Sequence, residues 1–446
     1  MDDEKNGSAM ICFPFKQEDN DTVIKNMRAA AEHPAVGFVL MCAHSINDTY
    51  KAVEDALQII QQQTKTPIHL AQQKPFGSGS NRRGKGDGMN TAVKYFVENT
   101  NFQRLHFYDA DITSFTPDWV TKCEAAAVNS KADMVRFYFP RSSTDAQITW
   151  HITKIGFALL WPHSRLLQVN QPLGGELAMS RAAAALFLQD QRVQNQSDWG
   201  IDTLYTFASA QAGLSCYEVY AKDGKMHALY GALSDLKTMC IECFSAVQSL
   251  QNEQVENFPN GTYGYEEPEP APVTITEKQG FCLESTLSLL KSDWTTRQEQ
   301  LLYEHYEEKI VNGVLSAKEW PVYEFMDGDT WLSAYQMSLK NFVKGDADWE
   351  SLFFRLWVLR VICYTVTCTT RGYDFSMRYL QSLVDDARKL GHKVAKQQHE
   401  INLMPTNPQR DGKRNEETTG EAQRPKKKLK QDRNIITNLS TTISSH

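Results

Sequence analysis

Between Met10 and Tyr220 the chain alternates two kinds of segment, and this rhythm limits the available folds more than any other feature. Short apolar runs of strand length stand at Met10–Phe15, Val36–Cys42, Pro67–Ala71, Arg104–Tyr108 and Ala132–Phe139. Segments of helical spacing lie between them, at Asp21–Glu32 and Asn47–Gln62. In the second, Tyr50, Val53, Ala56, Leu57 and Ile60 share one face after Asn47, a candidate N-cap. Parallel strands cannot be joined by tight turns and need a longer crossover, usually a helix. The alternation therefore predicts an α/β domain with a mostly parallel sheet and helices on both faces.

That domain is expected over residues 10–255. A stretch crowded with Pro and acidic residues follows and reads as a linker, residues 256–276. Residues 277–391 are rich in Leu, Trp and Tyr at helical spacing, as in Ser285–Leu290, Arg297–Ile310, Trp331–Phe342 and Trp349–Val366, and predict a helical C-terminal domain. Past Tyr379 there is no Phe, Tyr or Trp, and residues 392–446 read as a disordered basic tail containing RPKKKLK, Arg424–Lys430.

Charge and cysteine usage narrow the class. The net charge is −7, with 11 Lys/Arg and 6 Asp/Glu in residues 393–446, so the remainder stands at −12. That balance does not suit a nucleic-acid binder. No run of 18 apolar residues exists and the first nine residues are acidic and polar, so neither a membrane span nor a secretory leader is expected. The expected location is the cytoplasm. Nine scattered cysteines read as small core residues of a reducing compartment, and Cys240-x-x-Cys243 has no second pair at zinc spacing.

Chemistry concentrates where the fourth strand ends, in LHFYDAD, Leu105–Asp111. Asp109 and Asp111 are two apart and share one side of an extended chain. At the carboxyl end of a sheet strand they face the crevice where α/β folds bind ligands. Two acids in one place suit a hard divalent cation bridging a diphosphate. The loop Gly77–Gly88, GSGSNRRGKGDG, is basic and Gly-rich. It approaches the P-loop pattern but has Gly86 where that pattern needs a metal-binding hydroxyl, so Lys85 reads as a phosphate contact and not as part of an NTPase. His227, after a strand-like Tyr217–Tyr220, is a candidate further metal ligand. Arg141 and Asp145 precede a helical segment, Gln147–Leu160, where an acid could dock.

Ordered strings through most of the chain resemble one family, the mannosylglycerate synthases. They include FPFK (Phe13–Lys16), GKGDGMNTA (Gly84–Ala92), HFYDADITSF (His106–Phe115), FPRSSTDA (Phe139–Ala146), QPLGGEL (Gln171–Leu177), SDWGIDTLYTF (Ser197–Phe207), HALYGAL (His227–Leu233) and DWESLFFRLW (Asp348–Trp357). The resemblance covers residues 10 to 385. It implies a retaining GT-A glycosyltransferase, Rossmann-like, that moves mannose from GDP-mannose to D-glycerate and yields 2-O-α-mannosylglycerate, a compatible solute, and GDP.

Carried onto this chain, the resemblance implies that Asp111 and His227 hold a divalent metal, Mn²⁺ or Mg²⁺. Pro14, Glu18, Gln73, Lys85 and Asp109 would contact the donor, and Leu173, Trp199 and Asp202 would surround its sugar. Arg141, Asp145 and Thr149 would hold glycerate, and Tyr230 would belong to a loop closing over the phosphates. Asp202, Asp109 and Lys85 are the candidate catalytic residues. Ala228 stands where the family often has Arg. A homo-oligomer through the helical domain is expected, with no nucleic acid or membrane partner. Two alternatives remain open: the same chemistry with GDP-glucose, or with lactate or glycolate as acceptor, and a non-enzymatic nuclear or scaffold protein using the basic tail. Removing residues 393–446 separates the last from the rest. Glycosyl transfer by the truncated chain is expected to survive, and a transfer assay beside the full-length chain checks it.

Overall fold

The computed structural model describes residues 7–75, 84–226, 232–255, 262–291, 294–319 and 323–403, with side chains to residue 397. Eight strands form one sheet. They are β1 (Ala9–Phe15), β2 (Val36–Ala43), β3 (Ile68–Gln72), β4 (Arg104–Phe107), β5 (Met134–Tyr138), β6 (Leu177–Ser180), β7 (Cys216–Tyr220) and β8 (Tyr263–Tyr265). Their order is β3-β2-β1-β4-β6-β5-β7-β8, and only β6 runs antiparallel to its neighbours. This is the α/β architecture expected, with a helical region after it.

Alternation along β1 explains why the sheet is covered on both sides. Met10 and Cys12 enter one apolar cluster, and Ile11 and Phe13 enter the other. The second cluster is closed by the helices Asn20–Glu32, Asp48–Thr64 and Pro117–Ser130. The first continues through the helix Lys237–Ser249 into the helical region, where Phe244 meets Phe353 with ring centroids 3.9 Å apart. The two regions thus share one core. Asn47 caps its helix as expected, accepting from Tyr50 N–H at 2.9 Å.

Several boundaries differ from the sequence expectation for identifiable reasons. The Gly-rich stretch does not stay a loop to Gly88, because a helix starts at Lys85 with Gly84 as its cap. A Cβ at Gly86 would stand 2.1 Å from the Gln196 carbonyl oxygen, so the glycines serve close packing, and tertiary contact overrides their poor propensity. The expected helix Gln147–Leu160 is a π-helix over Thr149–Lys154 followed by an α-helix over Ile155–Leu160. The run Arg297–Ile310 breaks where Tyr306 turns extended and joins its hydroxyl to Ser338 at 2.9 Å. Part of the expected linker is the edge strand β8. The last helix, Tyr373–Leu403, passes the expected domain end at Gly391, since no proline follows before Leu403. The basic run Arg424–Lys430 and the segment Gly77–Arg83 lie outside the described residues.

The helix Ala347–Cys368 is long and apolar enough to cross a membrane by length and composition, which the sequence reading passed over because charged residues interrupt it. Here it is the central helix of the helical region, with Trp357 and Arg360 fully buried. Arg360 donates to the Met326 carbonyl at 3.1 Å and to the Tyr379 hydroxyl at 3.1 Å.

At Gly391 the last helix packs directly against the backbone of the α/β domain. A Cβ there would lie 2.6 Å from the Leu159 carbonyl oxygen and 2.7 Å from that of Ala158. Backbone cannot swing aside as a side chain can, so Gly391→Ala is expected to destabilise the fold by about 1–3 kcal/mol. A lower urea midpoint with an unchanged slope checks it.

Candidate active site

Every parallel strand from β1 to β7 delivers its carboxyl end to one edge of the sheet, and a cleft of about 690 Å³ opens there. Pro14, Lys16 and Glu18 follow β1, His44 follows β2 and Gln73 follows β3. Asp109 and Asp111 follow β4, and Arg141, Asp145 and Thr149 follow β5. Lys225 follows β7, and Gln171 and Leu173 come from the segment that leads into β6. The opposite wall is Trp199 and Asp202 at the start of the helix Ile201–Gln211, with Met239 and Cys243 behind them. Strand order reverses across β1 and β4, so the cleft sits at a topological switch point.

Beneath the cleft runs a chain of alternating charge. Glu176 meets Lys225 at 2.6 Å, and Lys225 meets Asp109 at 2.5 Å. Asp109 meets Lys85 at 3.3 Å, and Lys85 meets Asp202 at 3.1 Å. The Lys85 ammonium also lies 5.4 Å from the centre of the Trp199 ring. A Cβ at Gly175 would come within 2.3 Å of Lys85 Nζ, so this glycine makes room for the lysine head.

Burial opposes charge on each of these groups, and the neighbours decide which win. Burial pushes the Asp109 carboxyl up, yet the ammonium groups of Lys225 and Lys85 hold it well below the usual carboxylate range. Burial pulls Lys85 down, but Asp109, Asp202 and Glu176 raise it above an ordinary lysine, and Asp109 and Glu176 do the same for Lys225. The carboxyls of Asp202 and Glu176 remain raised by burial, partly offset by Lys85 and Lys225 respectively. One buried oxygen of Asp202, Oδ1, and one of Glu176, Oε2, have no hydrogen-bond partner among the described residues. Asp202 thus lines the cleft with one oxygen on Lys85 and the other shielded from solvent.

At the other end, Arg141 donates to Asp145 at 3.0 Å. With its amide turned to satisfy both groups, Gln171 accepts from Arg141 Nη2 at 2.7 Å and Nε at 3.2 Å. A guanidinium has five N–H donors, so two remain for an anionic ligand. Ala146, beside this pair, has a φ of 55°, a left-handed conformation uncommon for a residue with a Cβ.

The cleft carries more acid than base. Among the described residues, Glu18, Asp109, Asp111, Asp145, Asp198 and Asp202 share the cleft with Lys16, Lys85, Arg141 and Lys225. Burial raises the Glu18 carboxyl to about 7, against the lowering bond from Lys16 N–H, and Asp111 and Asp109 add to the rise by repelling its charged form. Asp111 makes no ion pair with any described residue, whereas Asp109 is held by two lysines. A diphosphate would be repelled from such a cleft without a counter-cation, and oxygen ligands of this kind fit a hard divalent ion. Among the described residues, Asp109 is paired with lysines and Asp111 is not. Among the described residues no group of three His, Cys, Asp or Glu stands at ligand distance. His227, expected as a second ligand, lies outside the described residues, as do Tyr230 and Ala228.

Pro14, Glu18, Gln73, Lys85, Asp109, Asp111, Arg141, Asp145, Thr149, Leu173, Trp199 and Asp202 all line this one cleft. Sequence reasoning missed Lys225, Glu176 and Gln171. Lys225 stands two residues before the expected loop histidine, and Gln171 and Glu176 lie inside QPLGGEL, but nothing local shows that each partners a charged residue from another element. Cys240 and Cys243 are buried free thiols on a helix, and Cys243 donates to the Trp199 carbonyl at 3.7 Å.

Comparison with known proteins gives a consistent picture. The family model for the mannosylglycerate synthase GT domain matches residues 9–249, and that for the mannosylglycerate synthase C-terminal domain matches residues 275–384. The mannosylglycerate synthase of Selaginella moellendorffii is 50% identical over 376 residues, covering 84% of this chain and 88% of that one. That of Rhodothermus marinus is 48% identical over 376 residues, covering 84% and 93%. Among solved structures, mannosyl-3-phosphoglycerate synthase from Rubrobacter xylanophilus is similar with a TM-score of 0.43 at 19% identity, covering 56% of this chain and 75% of that one.

The charge chain makes its own prediction. In Lys225→Met, Glu176 loses its ion-pair partner and Asp109 one of two, so both folded-state carboxyl pKa values rise. A carboxyl raised on folding weakens the fold above its unfolded pKa, so the deficit grows as pH rises. Unfolding in urea is expected to show a loss of about 3 kcal/mol at pH 8 that narrows toward pH 5.

Proposed function

Because the chain belongs to the mannosylglycerate synthase family, a family of glycosyltransferases, we propose that it transfers mannose from GDP-mannose to the 2-hydroxyl of D-glycerate, with retention at the anomeric carbon and with a divalent cation. One observation carries the reading. A single cleft brings together a strand-end D-x-D, a lysine between two carboxylates, and an Arg–Asp pair suited to a small acid.

In this reading Pro14, Glu18 and Gln73 line the nucleoside end. Asp111, with His227, holds Mn²⁺ or Mg²⁺, and the bound ion supplies charge stabilisation to the departing diphosphate. Lys85 stays protonated between Asp109 and Asp202, a fixed positive charge beside the phosphates that needs no reorganisation during reaction. Leu173 and Trp199 pack on the mannose, and Asp202, which lines the same wall, orients the sugar. Arg141 takes the glycerate carboxylate with its two remaining N–H groups, and Asp145 and Thr149 orient the hydroxyls. The bond from the anomeric carbon to phosphate oxygen breaks, the bond to the glycerate 2-oxygen forms on the same face, and the hydroxyl proton passes to the leaving phosphate. Asp202 orients the sugar in this scheme and is not the nucleophile.

Purified protein incubated with GDP-mannose, D-glycerate and Mn²⁺ is expected to give an α-linked mannosylglycerate by NMR, lost on addition of EDTA. Absence of product across donor and acceptor panels overturns the assignment. Asp202→Ala is expected to lower turnover on the order of 100-fold through misplacement of the sugar. Turnover near that of the unaltered protein removes Asp202 from the site.

A further inference from the structure

The acceptor end of the cleft is built on a turn braced by its own hydrogen bonds, among them Thr144 N–H to Ser142 Oγ at 3.1 Å and Gln147 Nε2–H to the Ser143 carbonyl at 3.0 Å, and also by contacts from the helical region. Ser142 to Asp145 closes through Asp145 N–H to the Ser142 carbonyl at 3.0 Å, and the next residue, Ala146, is the left-handed one. Immediately after comes the π-helix Thr149–Lys154. A π turn widens the helix, and left-handed alanine is strained, so both persist only where surrounding structure over-determines them.

That surrounding structure is the helical region. The Tyr364 hydroxyl, on a fully buried side chain, donates to the Ser143 carbonyl at 2.8 Å. Gly280 N–H donates to Thr144 Oγ1 at 2.8 Å. A Cβ at Gly280 would stand 2.6 Å from the Thr144 carbonyl oxygen and 3.0 Å from Asp145 Cα, so backbone lies directly against the turn. Behind the π-helix, Trp331 Nε1–H donates to the His151 carbonyl at 3.1 Å and the Tyr335 hydroxyl to the Ile152 carbonyl at 2.9 Å. Trp331 and Tyr335 are four apart on the helix Gly328–Asn341 and so present one face to two successive carbonyls. None of these four residues lines the cleft.

We infer that Tyr364 and Gly280, backed by Trp331 and Tyr335, are positioning residues for the acceptor: the helical region sets the geometry of Arg141, Asp145 and Thr149 from outside the site. The inference rests on the reading that the small acid docks at those three residues. It gives the C-terminal region a role in acceptor binding that is separate from donor binding, because the four hydrogen bonds end on Ser143, Thr144, His151 and Ile152.

The test is steady-state kinetics of the full chain with GDP-mannose and D-glycerate, run on Tyr364→Phe, Gly280→Ala and Arg141→Gln. Tyr364→Phe keeps the ring and deletes one buried hydrogen bond, and a rise in acceptor KM of about five-fold is expected with donor KM unchanged. Gly280→Ala pushes the turn directly and is expected to raise acceptor KM at least as much. If Arg141→Gln raises acceptor KM while Tyr364→Phe and Gly280→Ala leave it alone, the positioning role is overturned and the docking site stands. If the two variants lower thermal stability and kcat without moving acceptor KM, the contacts are structural only and the inference is again overturned. If Arg141→Gln itself leaves acceptor KM unchanged, the docking site is overturned and the inference with it.

Discussion

Five ionisable side chains share one nearly dry layer under the cleft, and none is stable there without the next. Glu176, Lys225, Asp109, Lys85 and Asp202 alternate in sign over four contacts between 2.5 and 3.3 Å. Removing a charge of this kind from water is costly, and only an opposite charge at contact distance offsets it. The chain therefore ties together five parts of the fold: the end of β4, the helix at Lys85, the segment before β6, the loop after β7 and the helix Ile201–Gln211 that carries Asp202. The cleft floor is rigid because its charges must stay paired. Three carboxylates share two ammonium groups, and one buried oxygen of Asp202 has no hydrogen-bond partner among the described residues.

The two ends of the cleft are built on different principles. The donor end draws on the ends of β1, β3 and β4 and on the starts of the helices at Lys85 and Ile201. The acceptor end hangs on a strained turn and a π-helix, whose positions are fixed by side chains of the helical region. A family that keeps its nucleotide site while varying its acceptor would find the second arrangement easier to alter, since small changes in helix packing shift a turn more than a strand end. The shared core, with Phe244 against Phe353, gives those helices a firm base.

Much of this was legible without coordinates. The alternation of apolar runs with helical spacing specifies a mostly parallel sheet, because parallel strands need crossovers. Asp109 and Asp111 declare themselves by following an apolar strand directly. Less legible were β6 and β8, four and three residues long, too short for periodicity to register. Ala347–Cys368 is equally ambiguous in isolation, since a buried central helix and a membrane span have the same composition.

The sequence by itself determined the fold class, the D-x-D position and the residue types available for chemistry, because these depend on local order along the chain. It also carried the family resemblance, which named the residues lining the cleft. Only the tertiary structure decided the pairing of charges. That Asp109 is held by two lysines while Asp111, among the described residues, is not depends on Lys85 and Lys225, 24 residues before and 116 residues after Asp109. That Tyr364 holds a turn 221 residues away depends on how two regions share a core. Opposite charges and hydrogen-bond partners carry no signal in sequence spacing when they meet across a sheet, so distance in space had to be known before their roles could be.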